Sequence, residues 1–135
     1  MSKSNTTEND FLKMVLQGTD PTWRAGASLY VALHTADPWE AGVQTTSEAA
    51  YTGYARVALT KASDWTDAGS TFTNANLIQF PTCTWGSAVC THFSIGTVIS
   101  GAWQILYSWA LSSSLSVSNG IQPQFPVGQL SVTED

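Results

Sequence analysis

Three ionisable side chains stand at even spacing in the stretch LYVALHTADPWEAG, residues 29–42: His34, Asp37 and Glu40. An imidazole and two carboxylates are the residue types of a metal centre or an acid–base site. As metal ligands they would have to converge to roughly 2.0–2.2 Å from one ion. On a helix, spacing of three brings side chains onto one face. Here Asp37-Pro38 interrupts it, because proline biases its predecessor away from the α region. An Asp before Pro, with Gly42 shortly after, is ordinary turn chemistry. The expected roles are therefore structural: His34 ends a strand and bonds into the loop, and Asp37 anchors the turn.

The rest of the chain offers little other chemistry. His92 lies mid-strand between Thr91 and Phe93, with no serine or cysteine beside it in a nucleophile motif such as G-x-S-x-G. Glycine-rich phosphate loops and calcium loops are absent from the sequence. Cys83 and Cys90 with His92 are too few for a zinc site. Both cysteines are expected to be reduced thiols, because the polar opening MSKSNTTEND has no signal-peptide core and implies folding in the cytoplasm. Arg56, one of two arginines, is expected to pair with Glu48 or Asp37 and hold the 37–53 loop to the sheet. No catalytic residue, cofactor or metal is expected, and the reading is a protein that is not an enzyme.

Composition points to β-structure and to contacts. The 135 residues suit one domain, residues 1–135, with 43% hydrophobic but only 11% charged residues. Charged residues usually make up about 25%. All five basic residues lie between Lys3 and Lys61, and no Asp, Glu, Lys or Arg occurs from Ala68 to Thr133. An uncharged half fits a surface packed against other subunits, since interface cores are poor in charge. A β-domain using hydroxyls and amides for solubility is the plainer alternative. The net charge of −5 argues against nucleic acid, and no apolar run approaches the ~20 residues of a membrane span.

The elements that must position these residues follow from periodicity. Thr7 with Glu8 and Asp10 reads as a helix start, and Phe11, Met14 and Val15 recur at helical spacing before Gly18. This predicts a short amphipathic helix at 8–17, with Phe11 and Met14 as interface candidates: they cap the domain's own core or dock on a neighbour. Thereafter LYVALH, YARVALT, LIQF, THFSIGT, WQILYSWA, SLSVS and QLSVT alternate as strands, separated by turn clusters such as TDAGS and TWGSA. The expected fold is all-β: a single-domain antiparallel β-sandwich, jelly-roll-like, over 27–133, with the one N-terminal helix.

Six tryptophans stand out. Trp39 and Trp85 fall in turn segments, where exposed rings serve binding, so they are the main contact candidates for a protein partner or a glycan.

The run LYVALHTADPWEAGVQTTSEAAYTGYARVAL resembles small structural proteins of tailed bacteriophages and prophages. The resemblance continues through SDWT, IQFPTCT, THFSIGT, ILYSWAL and VSNGIQPQFPVGQL, and includes the opening MSKSNTTENDFLK. Members are often labelled tail-fibre or minor structural proteins, and the compact all-β form is similar to capsid cement or decoration proteins. The resemblance brings no catalytic residues. Its recurrent positions here (His34, Asp37, Gly42, Tyr51, Tyr54, Arg56, Pro81, His92, Phe93 and Gly96) read as turn, core and packing features. Trp39 and Trp85 stand where the family leads one to expect small residues, which marks them as contacts particular to this virion.

The resemblance implies a virion protein made in the host bacterial cytoplasm. The leading expectation is a capsid cement subunit on the capsid surface, bridging major capsid proteins and forming a homo-oligomer, dimer or trimer. A tail or tail-fibre component, with tail proteins as partners, is the alternative. A receptor- or carbohydrate-binding β-sandwich is the reading from another class.

Overall fold

The alternation in LYVALH becomes the middle of a sheet. The structure is a computed structural model, and it describes residues 2–134. In chain order the elements are β1 (Ser2–Lys3), α1 (Asn5–Gln17), a 3-10 turn (Thr22–Arg24), β2 (Ser28–His34), β3 (Val57–Thr60), β4 (Trp65–Asp67), β5 (Thr71–Asn74), β6 (Ile78–Gln79), β7 (Ala88–Gly96), β8 (Ile105–Val117), β9 (Gln124–Phe125) and β10 (Ser131–Thr133). The main sheet has the order β1-β8-β7-β2-β3, and two smaller sheets, β10-β5-β4 and β6-β9, accompany it. All pairings are antiparallel.

The core lies between the main sheet and the smaller ones. Val31, Leu33, Phe93, Ile95 and Val117 from the main sheet meet Ile78, Phe80 and Leu130 from the other side. Aromatic rings bridge the layers: Phe93 meets Phe125 edge-on at 5.8 Å, and Tyr54 stacks on Phe80 at 6.2 Å. Tilted and edge-on ring pairs add about 0.5–1.5 kcal/mol each beyond area burial.

One strand differs from the expectation. WQILYSWA and SLSVS read as separate strands, but both belong to the single 13-residue β8, and Trp103 lies outside it in the preceding loop. β8 absorbs the irregular middle as a bulge: Cys90 pairs with Leu115 and His92 with Ala110, so residues 111–114 stand opposite Thr91 alone. The C-terminal half of β2 is buried on both faces, with Val31, Ala32, Leu33 and His34 each 1% exposed or less. Residues 47–49 extend its β3 side, through Thr35 N–H to the Ser47 carbonyl and Ala49 N–H to the Leu33 carbonyl. The Gln44 side chain covers the sheet so closely at Gly96 that a Cβ there would meet it at 2.1 Å.

The helix also starts earlier than the expected residue 8. Ser4, not Thr7, is its N-cap, accepting the Thr7 backbone N–H at 3.3 Å. Thr7 is fully buried because its hydroxyl is spent elsewhere: it and the Ser4 hydroxyl both donate to the Ile105 carbonyl, at 2.8 and 2.6 Å. Gly18, at φ 66°, ends the helix in the left-handed conformation that costs glycine little.

Candidate functional site

His34, Asp37 and Glu40 do not converge. His34 is completely buried, with Nδ1 2.8 Å from the Thr46 carbonyl and Nε2 2.7 Å from the Ser94 hydroxyl. A carbonyl can only accept, so Nδ1 carries the ring proton and Nε2 accepts from Ser94. Asp37 accepts the Trp39 backbone N–H at 2.8 Å in an Asx-turn. Glu40 instead faces the Ser2 hydroxyl, at 3.4 Å. Among the described residues no cluster of three or more His, Cys, Asp or Glu is placed to hold a metal. Ser94 and His34 have the hydrogen bond of a nucleophile and its base, yet both are sealed from solvent at 0% exposure.

The same interior holds a second polar group. Arg56 pairs with Glu48, not Asp37, in a two-pronged contact: Nε to Oε1 at 2.7 Å and Nη2 to Oε2 at 2.8 Å. Its remaining donors reach the carbonyls of Val98 at 3.1 Å and Gly101 at 2.9 Å. The Tyr54 hydroxyl donates to Glu48 and accepts the Leu33 N–H. Burial, and then the Glu48 carboxylate, push the Tyr54 phenol well above its ordinary pKa. Gln44, fully buried, brackets Val98 through both its amide atoms. Together Arg56 and Gln44 fasten the 97–104 loop to the sheet.

Burial lowers the His34 pKa from its ordinary 6.5, against opposing contributions from the Thr46 carbonyl and Glu48. The unfolded chain binds a proton near 6.5 that the folded chain refuses, so stability is full above that pH and falls as pH drops. The loss should reach up to about 1.4 kcal/mol per pH unit until the folded ring titrates. Melting curves from pH 8 to pH 5, with His34→Gln as reference, should show this slope only in the parent. Parallel curves would refute a neutral buried His34.

The surface is where this molecule is unusual. Four of the six tryptophans are more than half exposed: Trp85 at 75%, Trp39 at 71%, Trp103 at 62% and Trp109 at 51%. Each is held by its backbone while its ring faces out. Trp39 sits at φ 60°, a left-handed conformation rarely adopted by bulky residues. The turn closes tightly through Gly42, where a Cβ would lie 1.8 Å from the Pro38 carbonyl oxygen. The Trp103 carbonyl accepts the Gln44 backbone N–H at 2.8 Å. Trp85 is anchored by a bond from Thr52 N–H to its carbonyl at 3.0 Å, which the buried Cys83 thiol also approaches at 3.3 Å. Cys83 and Cys90 are free thiols.

The helix holds the other two contact candidates. Phe11 is engaged internally against Trp23 at 5.9 Å, beneath the Lys3 ammonium at 5.3 Å, and Met14 is half-buried. The face left open carries Leu12, Val15 and Leu16, 58–76% exposed. The cause is that α1 docks largely through polar groups: Gln104 donates to both Thr7 and Asp10, and the Trp23 indole donates to Asp10. Its leucines and valine are left unused. Leu12, Leu16, Trp103 and Trp109 were missed as surface candidates because apolar periodicity reads as core. The Gly101 turn just before Trp103 is the one local signal that it lies in a loop.

Comparison with known proteins agrees with the resemblance. No curated protein matches the chain. The family model described as Podophage GP4 fiber I protein gp80 matches residues 2–133. That is nearly the whole of this all-β chain, tryptophan loops included, and the chain therefore belongs to the podophage GP4 fiber I protein gp80 family, as a structural component of a bacteriophage virion.

Proposed function

We propose that this chain is a non-enzymatic docking subunit of the tail-fibre apparatus, seated on neighbouring virion proteins through its exposed loop tryptophans and the open face of α1. The observation that carries this reading is the exposure of the loop tryptophans Trp39, Trp85 and Trp103, each more than half open, together with that of Leu12, Val15 and Leu16. Exposed apolar side chains of this size mark interaction surfaces when they gather in patches, and tryptophan is among the residues most enriched at interface hot spots. The uncharged run from Ala68 to Thr133 supports it, because interface cores are depleted in charge. Tail proteins, and further copies of the chain itself, are the partners this reading requires.

Capsid cement is the second reading, favoured by shape. Among the described residues there is a two-layered β-unit and one helix, with no coiled-coil or repetitive shaft. A subunit bridging major capsid proteins would bind the mature lattice and stabilise it by mass action, two modest footprints reinforcing each other through effective concentration. Labelled antibody imaged on intact particles separates the two, and label on the tail is the expected result. Label on the head, together with particles that lose DNA at lower temperature when depleted of the protein, would overturn the fibre position in favour of cement.

A further inference from the structure

We infer that a groove beside the bulge of β8 is a binding site for a neutral oligosaccharide, with Trp109 as its platform. The groove has a volume of about 590 Å³, within the roughly 300–1,000 Å³ of small-molecule sites. Leu33 and Phe93, 1% and 5% exposed, form its floor, while Trp109 and the half-buried Phe125 contribute the aromatic walls. Around them stand Gln124, Gln129 and the serines 112–114, whose side chains make no hydrogen bond within the described protein.

The lining chemistry selects the ligand. No residue of the groove carries a charge, in a protein whose net charge is −5. Phosphate and carboxylate ligands find no cation there, and cationic ligands find no carboxylate. What remains is an aromatic surface flanked by hydroxyls and amides that can donate and accept. A pyranose ring is complementary to that mixture, with an apolar C–H face for the indole and hydroxyls for the rim.

The bulge argues against an extended peptide as the occupant. A peptide adding itself to a sheet edge needs a regular ladder of free N–H and C=O groups. β8 loses its regular pairing at the groove, where residues 111–114 stand opposite Thr91 alone. Bulges terminate pairing and re-aim side chains, and this one begins two residues after Trp109. The site is independent of where in the virion the chain sits, and neither Trp39 nor Trp85, the turn tryptophans first marked as contacts, lines it.

The test is titration of the full chain, followed by its tryptophan indole N–H resonances, with neutral trisaccharides built from hexoses, N-acetylhexosamines and deoxyhexoses, maltotriose and chitotriose among them. The indole of Trp109, assigned through Trp109→Phe, should shift saturably with at least one neutral member, while an anionic control, sialyllactose, binds more weakly. Trp109→Ala should weaken binding about tenfold or more, and Trp109→Phe less. Gln124→Ala with Gln129→Ala should weaken binding while leaving the other indole signals and the melting temperature in place. The proposal is overturned if no neutral member shifts Trp109 at up to about 10 mM, ten times a millimolar Kd. It is equally overturned if the Trp109 signal moves with protein concentration instead of sugar, which would make the groove a contact between copies.

Discussion

Replacing Glu48 by Gln should lower stability by about 3–5 kcal/mol, a fall of roughly 10–15 °C in Tm for a domain of this size. The side chains of Arg56 and Glu48 are 3% and 15% exposed, so the guanidinium left behind cannot recover its lost partner from water. Breaking one half of a buried pair is costly for that reason, whereas replacing both halves with apolar groups is often close to neutral. The double variant Glu48→Leu, Arg56→Met should therefore regain a good part of the loss. A residual deficit should remain, because the carbonyls of Val98 and Gly101 lose their donors. Their loop carries Trp103, so the single variant should also weaken incorporation into virions. A melting temperature within about 3 °C of the parent, roughly 1 kcal/mol, would show that the pair contributes little.

Trp39→Gly should separate stability from docking. The left-handed conformation of Trp39 costs an L-residue about 1–2 kcal/mol, and glycine adopts it freely. Glycine's greater freedom in the unfolded chain returns about 0.5–1 kcal/mol of that gain. With the indole 71% exposed, little packing is lost, and the melting temperature should stay level or rise. Docking should move the other way. A hot-spot tryptophan contributes about 2 kcal/mol or more, so affinity for the partner should fall roughly 30-fold. Quantitative mass spectrometry of virions grown with the variant in place of the parent would show the reduced copy number. Normal copy number would remove Trp39 from the interface, and a large drop in Tm would show that its ring supports the fold after all.

The strain at Trp39 joins the two halves of the molecule's design. The interior contains a polar cluster, His34 with Ser94 and Arg56 with Glu48, whose hydrogen bonds tie loops to the sheet. Those loops carry rings that the protomer itself does not use. Local strain of order 1–3 kcal/mol persists where the surroundings over-determine it, and such sites concentrate at ligand and partner contacts. In this chain the Asp37 carboxylate and the closely packed Gly42 turn provide that determination.

Much of this was legible in the sequence because it depends on neighbours along the chain. Period-two alternation marked β2, β3 and β7, Asp37-Pro38 marked the turn that breaks up the His–Asp–Glu spacing, and Gly18 marked the end of α1. The placement of Trp39 and Trp85 in turns was sufficient to expose them. What only the tertiary structure decided depends on residues far apart. Ser4 became the helix cap, and Thr7 was buried, because both bond to the Ile105 carbonyl about a hundred residues away. That polar docking turned Leu12, Val15 and Leu16 outward, against the amphipathic reading. Arg56 chose Glu48 over Asp37 because residues 47–49 continue the sheet beside His34. Trp109 shares a register position with the buried Phe93 and yet stays open, because β8 bulges just beyond it. Local pattern says which face of a strand is apolar; only the packing of distant segments says whether anything covers it.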